Sequence, residues 1–142
     1  MLENKGEVSE CTLRYPNHML SPEDFLHFIE LDEFRDDWER LGLDVESDLW
    51  ALQIAIMRNP EGAPVIPGTG GLRKLRFAPL EWCSGKRGAV RVCYVFLKEH
   101  WIVLLVMAYA KKEKLSLTDQ EKQGIKAYIT EINRYLAKKK YT

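Results

Sequence analysis

The sequence has little cysteine or histidine, and it lacks any long apolar run. Its 142 residues include three cysteines, Cys11, Cys83 and Cys93, and three scattered histidines. An odd cysteine count without a Cys-x-x-Cys pair argues against a disulfide framework, and scattered histidines argue against a zinc site. The longest apolar run, residues 101–110, is about half of the roughly 20 residues that a membrane-spanning helix needs.

The N-terminal segment, residues 1–24, also lacks features that are common elsewhere. It shows no basic-then-apolar secretion pattern and no hydrophobic period. Three interpretations stay open: a loosely packed arm, a short strand or helix packed on the domain, or a protein whose translation starts at Met19. Residues 25–142 carry the periodic segments and form one predicted domain. We expect a cytoplasmic protein that needs no cofactor, no metal ion and no membrane.

The first half of this domain is predicted to contain one strand and two helices. Residues 26–31 fit a strand, and apolar residues spaced three and four apart predict helices over 33–41 and 45–58. Asp32 and Asp44 precede these helices and are the predicted N-caps, because a carboxylate accepts hydrogen bonds from free N–H groups there. Two consecutive short helices form a hairpin that can lie on a sheet.

The second half is predicted to be a sheet followed by a long helix. Three strands are predicted, at 72–78, 89–97 and 101–110. Short connections make them antiparallel. Thr118 and Glu121 fit a capping box, which starts a helix over about 119–137. The predicted fold class is α+β, with a mostly antiparallel sheet, a helical hairpin on one face and a long C-terminal helix.

Charge is distributed unevenly along the chain, although the net charge is zero. Residues 1–71 contain 5 Lys/Arg against 15 Asp/Glu, whereas residues 72–114 contain 10 against 3. A local basic face is what would attract a polyanion, whatever the overall charge. The alternative is an ordinary protein whose two halves neutralise each other after folding.

The basic segment begins with a glycine-rich turn and a strand, residues 68–77, with the sequence GTGGLRKLRF. Because side chains alternate along a strand, Lys74 and Arg76 share one face. The spacing does not match a nucleotide-binding phosphate loop, and a strand follows it instead of a helix. Two interpretations remain: a hairpin with solvated cations, and an RNA-phosphate site built on a sheet.

Five short motifs, in this order, resemble the HigB-type toxins of the RelE/ParE superfamily. They are Asn59-Pro60, Pro67-Gly-Thr-Gly-Gly-Leu-Arg-Lys-Leu-Arg76, Gly85-Lys-Arg-Gly88, Arg91-Val-Cys-Tyr94 and Ala110-Lys-Lys-Glu113. The resemblance extends over about 25–137. It implies a RelE-like fold and a toxin of a type II toxin–antitoxin system, which cleaves messenger RNA on the ribosome without a metal and inhibits translation.

The resemblance also implies partners. They are a cognate antitoxin with a helix-turn-helix DNA-binding domain, the ribosome and its messenger RNA. DNA would be contacted only through the antitoxin. Two alternatives stay open: a ParE-like toxin that binds gyrase, and a catalytically inactive relative that binds nucleic acid or protein.

RNA cleavage requires a base for the 2′-hydroxyl, donors for the phosphate charge and a proton for the leaving oxygen. Crowded cations lower the pKa of a lysine, and arginine binds phosphate through two hydrogen bonds. The resemblance implies Lys74 as general base, with Arg76 and Arg91 as phosphate ligands. It implies that Lys112 either stabilises charge or acts as the acid. RNA-backbone contacts are implied for Arg73, Lys86, Arg87 and Lys111.

Overall fold

The computed structural model describes residues 25–79, 89–111, 113–114 and 116–139, which form a four-stranded sheet and three α-helices. The elements are β1 (His27–Glu30), α1 (Asp32–Arg40), α2 (Ser47–Arg58), β2 (Leu72–Phe77), β3 (Val90–Leu97), β4 (Ile102–Ala110) and α3 (Asp119–Lys138). A 3-10 turn, Lys98–His100, joins β3 to β4. The predicted α+β class, with its long C-terminal helix, is confirmed.

The sheet has the strand order β1-β4-β3-β2. The hairpins β2–β3 and β3–β4 are antiparallel, as their short connections predict, and β1 is parallel to β4. A parallel pair needs a long crossover, and α1 and α2 lie in the chain between β1 and the other strands. Within the described ranges, no helix combines the length and the apolar character needed to cross a membrane.

The face of the sheet that packs against α1 and α2 is organised around Trp38. Its ring is stacked with Phe34 at 5.1 Å and with Phe77 of β2 at 6.1 Å between centroids. The indole Nε1 donates to the backbone oxygen of Asp44 at 2.9 Å, so the polar atom of this buried ring is satisfied. The helical hairpin therefore covers one face, as the apolar spacing predicted.

The opposite face of the sheet packs against α3. Its core includes Leu72 of β2, Leu104 of β4, Leu117 and Ile129, all of which are buried. On α3 itself only Ile129 is fully buried, since the helix lies at the surface and presents one apolar stripe. Packing on both faces explains why β4 is apolar along nearly its whole length.

The two aspartates predicted as N-caps behave differently. Asp44 is not the N-cap of α2, which is Glu46, but its Oδ2 does accept from the backbone N–H of Glu46 at 2.9 Å and of Ser47 at 2.5 Å at the start of the helix. The prediction for Asp32 was wrong. The N-cap of α1 is Leu31, and Asp32 is already the first helical residue, where its carboxylate accepts from Arg35 instead. The chain enters α1 directly from β1, so the helix starts one residue early.

The predicted capping box at the start of α3 is confirmed. Glu121 N–H donates to Thr118 Oγ1 at 3.1 Å, and Thr118 N–H donates to Glu121 Oε1 at 2.9 Å. Lys114 Nζ donates to the second carboxylate oxygen at 2.8 Å. Both hydrogen bonds lower the pKa of Glu121 below its ordinary value of 4.5, and the bond from Lys114 has the larger effect.

The lowered pKa predicts an acid-sensitive contribution to stability. Because the folded-state pKa of Glu121 is depressed, its contribution is complete above the ordinary value of 4.5 and is lost as pH falls through the folded pKa. Urea titrations of the wild type and Glu121→Gln should give a stability difference near pH 7 that shrinks below pH 4.5. A difference independent of pH would show that the carboxylate charge contributes nothing.

Candidate active site

The strand register brings the predicted cations together on one face. Arg76 of β2 lies directly opposite Arg91 of β3, and Arg91 lies directly opposite Tyr109 of β4. Directly opposite residues have Cβ atoms about 4.5–5.5 Å apart and share a face. We call these three residues the arginine row. In the neighbouring row, Lys74 lies opposite Cys93.

The arginine row lies on the α3 side of the sheet. Tyr109 and Cys93 both belong to the core that packs against α3, and Leu72, two residues before Lys74, belongs to the same core. Alternation along β2 therefore directs Lys74 and Arg76 to that side. Sequence alternation could group Lys74 with Arg76, but it could not relate them to Arg91 because alternation carries no information about register.

A β-bulge in β4 brings Tyr109 to this face. The register shifts so that Cys93 pairs with Met107 while Tyr94 pairs with Leu105, which leaves Val106 as an extra residue. As a consequence, Val106 and Met107 both pack on the face of the sheet that α3 covers. Strict alternation would have placed Tyr109 with Leu105 on the face covered by α1 and α2. Bulges commonly redirect side chains in this way near functional sites.

The cations of the two rows have no charge partner in the described part of the chain. Arg76 is exposed, whereas Lys74 and Arg91 are half-buried. Among the described residues none of the three forms a salt bridge, and Arg91 Nη1 donates only to the backbone oxygen of Ala89 at 3.1 Å. Like charges directly opposite each other destabilise a sheet. The Arg76–Arg91 pair is therefore unfavourable for folding and available to an anion.

Tyr109 adds a neutral hydrogen-bond donor beside Arg91. Its side chain is 4% exposed, and its hydroxyl makes no hydrogen bond of regular geometry among the described residues, although it lies close enough to the Cys93 thiol for the two groups to affect each other's pKa. Burial is the main reason that the pKa of Tyr109 is raised to about 12, so the phenol remains protonated at neutral pH. Lys114 Nζ lies 5.7 Å from the ring centroid. The alternation of side chains along β4 gives no sign of the bulge that turns Tyr109 to this face.

Cys93 is an inert thiol despite its place beside Lys74. The residue is fully buried, and burial raises the pKa of its thiol to about 12, against a smaller lowering effect of Lys74. A thiol with this pKa is protonated at neutral pH and is a poor nucleophile. No group of three or more His, Cys, Asp or Glu side chains suited to hold a metal ion occurs in the described ranges.

A polar network fixes the end of β4 against α1. Asp37 Oδ2 accepts from the Ala108 N–H at 3.0 Å, and its Oδ1 accepts from Arg40 at 2.9 Å. Arg40 also donates to Glu113, which in turn accepts from the Ala110 N–H at 2.9 Å. The hydrogen bond to Asp37, with a smaller contribution from the charge of Glu113, raises the pKa of Arg40 above its ordinary value. The backbone N–H groups on either side of Tyr109 in the chain, those of Ala108 and Ala110, are thereby both hydrogen-bonded to carboxylates.

Two of the residues predicted to bind the RNA backbone, Arg73 and Lys111, lie in the described part of the chain. Arg73 lies on the face opposite Lys74, and its Nη1 donates to the backbone oxygens of Glu61 at 2.8 Å and Ala63 at 2.7 Å. Arg73 thus ties the connection after α2 to β2, and its RNA contact stays a prediction. Lys111 is exposed directly after β4. Three further predicted residues lie outside the described part of the chain: Lys86, Arg87 and Lys112.

Tyr94, the other tyrosine of the basic segment, has a structural role. It is 1% exposed, and its hydroxyl donates to the backbone oxygen of Pro60 at 2.7 Å. Tyr94 shares its strand face with Val92, which is also buried, so both side chains belong to the core under α1 and α2. The Asn59-Pro60 segment is consequently linked to the middle of the sheet.

The solved structures to which this chain is similar include two bacterial toxin structures. The chain is similar to a double-arginine mutant of the E. coli toxin RelE in the free state, with 14% identity and a TM-score of 0.46, covering 63% of this chain and 86% of that chain. It is also similar to the intact E. coli RelBE toxin–antitoxin complex, with 16% identity and a TM-score of 0.45, covering 60% of this chain and 95% of that chain. No protein-family model matches the chain.

Proposed function

We propose that this chain is the toxin of a type II toxin–antitoxin system and that it cleaves messenger RNA on the ribosome. The observation that carries the proposal is the placement of Arg76 directly opposite Arg91, with Lys74 in the next row. No described carboxylate neutralises these cations. Cations that are fixed on a sheet and left unpaired suit a polyanionic substrate.

The sequence supports the same proposal independently of the fold. The Gly-Thr-Gly-Gly-Leu-Arg-Lys string, the Gly-Lys-Arg-Gly turn and the Ala-Lys-Lys-Glu motif resemble HigB-type toxins. The first of these motifs contains Lys74, and the third directly follows Tyr109. A hairpin with merely solvated cations would not require two arginines to face each other across neighbouring strands, because that arrangement costs stability.

The proposed reaction is transesterification within the RNA strand. Lys74 Nζ is proposed as the base that removes the proton of a ribose 2′-hydroxyl, and the oxygen attacks the adjacent phosphorus. Arg76 and Arg91 donate hydrogen bonds to the phosphate oxygens, where negative charge increases in the transition state. The bond to the 5′-oxygen breaks, which leaves a 2′,3′-cyclic phosphate and a 5′-hydroxyl. Lys112 is proposed either to protonate that oxygen or to stabilise the charge.

A nuclease of this kind needs a partner that restrains it. We propose an antitoxin with a helix-turn-helix domain, which would cover the arginine row and would carry the only contact with DNA. A separate gene product that forms a stable complex with this chain and abolishes its toxicity would support this assignment. Harmless expression of the chain by itself would argue against it.

Mapping the 5′ ends of messenger RNA after expression tests the proposed function. We expect new 5′ ends inside coding regions, and these ends should disappear when translation initiation is blocked. DNA damage without new RNA ends would instead indicate a gyrase-directed toxin of the ParE kind. Neither effect, in the presence of folded protein, would indicate a binding module without nuclease activity.

A further inference from the structure

The glycine-rich turn at residues 68–71 has unused backbone donors. Gly68, Gly70 and Gly71 have φ angles of 85°, 80° and 131°, which lie in the region that side chains rarely adopt. Thr69 closes the turn through its side chain, which donates to the Ile66 oxygen at 2.6 Å and accepts from the Leu72 N–H at 3.0 Å. None of the four turn residues donates a backbone hydrogen bond to an acceptor in the described ranges.

Two lysines of α3 lie against this turn. A Cβ atom added at Gly70 would lie 3.3 Å from Lys126 Cγ, and one added at Gly68 would lie 3.7 Å from Lys122 Cδ. The methylene stems therefore pack on the glycine backbone, and a side chain at Gly70 would displace Lys126. The φ angle of 80° is the main reason for glycine at this position, and the contact adds that Lys126 would have to shift by a few tenths of an ångström to admit a Cβ atom.

The charges of these two lysines are not used within the described part of the protein. Neither Lys122 nor Lys126 forms a salt bridge there, and Asp119, one turn earlier on α3, is not within ion-pair distance. Lysines four residues apart on a helix repel each other. Like the Arg76–Arg91 pair, they form an arrangement that is unfavourable by itself and that a bound anion would relieve.

We propose that the turn 68–71, Lys122 and Lys126 form a second phosphate subsite, which binds the backbone of the single-stranded RNA substrate. The proposal rests on the proposed function. Successive backbone N–H groups in a turn can form a concavity that binds an anion, and Gly68 and Gly70 are exposed here, whereas Thr69 is buried. Lysine adds charge without sequence preference. β2 connects this turn to the arginine row, with Arg76 six residues beyond Gly70, or about 20 Å along an extended chain.

The proposed path of the RNA follows from the order of residues along β2. Lys74 and Arg76 lie on the α3 side of this strand, and the turn that precedes the strand is the segment that α3 lysines contact. Phosphates on one side of the cleaved bond would thus run along β2 toward Gly70. A contact that is equally strong in the bound substrate and in the transition state lowers KM and leaves kcat unchanged, and we assign the contacts of this turn to that kind.

Binding of an uncleavable RNA as a function of salt concentration tests the subsite. A fluorescent 2′-O-methyl oligonucleotide has no free 2′-hydroxyl, so binding can be measured on the intact, active chain. Lys122→Gln with Lys126→Gln retains the methylene stems that pack on the turn and removes both charges. Lys138→Gln with Lys139→Gln makes the same charge change at the exposed far end of α3.

We expect the Lys122/Lys126 double variant to bind with a shallower plot of log K against log salt. Each lost phosphate contact to a single strand removes about 0.7 from the slope, so the loss should be about 1.4. The Lys138/Lys139 variant should keep the wild-type slope. Cleavage of messenger RNA by the Lys122/Lys126 variant should show a raised KM with an unchanged kcat.

Three results would overturn the subsite: a wild-type slope in the Lys122/Lys126 variant, the same loss in the control variant, or no RNA binding by the wild type. The proposed function has a separate test. If the wild type and the two double variants show the expected slopes but the wild type never cuts messenger RNA, the nuclease is contradicted and the subsite is supported. A wild type that cuts RNA, with both double variants unchanged in slope and KM, would contradict the subsite and leave the nuclease intact.

Discussion

Arg91→Ala is expected to lower the rate of messenger RNA cleavage by about two to three orders of magnitude. Removing one preorganised donor to a developing oxyanion costs about 2.7–4 kcal/mol of transition-state stabilisation. Arg91 is suited to that role because it is half-buried and sits between Arg76 and Tyr109 in one row across three strands. Its hydrogen bond to the Ala89 oxygen fixes part of the guanidinium in advance.

Arg76→Ala should have an effect of the same order, and the double variant should lose less than the sum. Both guanidinium groups are proposed to bind one phosphate, and residues that act as a unit are not additive. The measurement is single-turnover cleavage on translating ribosomes, with each variant at saturating concentration. The control is Lys98→Ala, which removes an exposed cation at the opposite end of β3, 3.8 Å from Glu61.

The same variants should keep their stability, which separates a functional role from a structural one. Neither arginine forms a described salt bridge, and Ala at either position relieves the repulsion between directly opposed cations. Urea denaturation should therefore give a free energy of unfolding equal to or slightly above that of the wild type. Loss of activity together with loss of folding would mean that the row is structural. Wild-type cleavage by both variants would contradict the proposed site.

The elements of this fold could be predicted because each has a local cause in the sequence. Thr118 and Glu121 satisfy each other's backbone groups, so the start of α3 is encoded within four residues. The apolar positions of α1, such as Phe34 and Trp38, recur at helical spacing and are buried in the structure. Asp32 was misjudged because tertiary context, the direct entry from β1, decided where the first turn begins.

The candidate site could be predicted only in part, because register is not a local property. Alternation groups Lys74 with Arg76, whereas the pairing of Arg76 with Arg91 depends on how β2 and β3 align over their whole length. The position of Tyr109 could not be predicted for the same reason, since one extra residue in β4, Val106, moves the Tyr109 side chain to the opposite face of the sheet. No glycine or proline marks this bulge, so the strand sequence shows only continuous apolar residues.

The lysines of α3 show a further limit of sequence reasoning. Lys122 and Lys126 are separated by about 50 residues from the turn they contact, and a helix pattern alone assigns them to a solvated face. Their contact with Gly68 and Gly70 depends on how α3 crosses the sheet. Positively charged residues from three separate parts of the chain thus lie along one side of β2.

Lys74→Arg is expected to lower the cleavage rate by about two to four orders of magnitude while RNA affinity stays within a few-fold. General base catalysis contributes about 10² to 10⁴, and an arginine side chain cannot lose its proton in a protein. Arginine places a permanent positive charge in the row beside Arg91, so binding of the phosphate should not be weakened. A role in binding alone would predict a nearly active Lys74→Arg variant.

Chemical rescue of Lys74→Ala tests directly whether the amine of Lys74 is the general base. If Lys74 supplies the base, adding a small primary amine such as ethylamine should raise cleavage by Lys74→Ala in proportion to the concentration of the neutral amine. Arg91→Ala should not respond, because its missing group is a fixed cation and not a base. The opposing residue Cys93 is buried and protonated, so it cannot replace the lost base. An undiminished rate in Lys74→Arg, or no rescue of Lys74→Ala in folded protein, would assign the base to another residue.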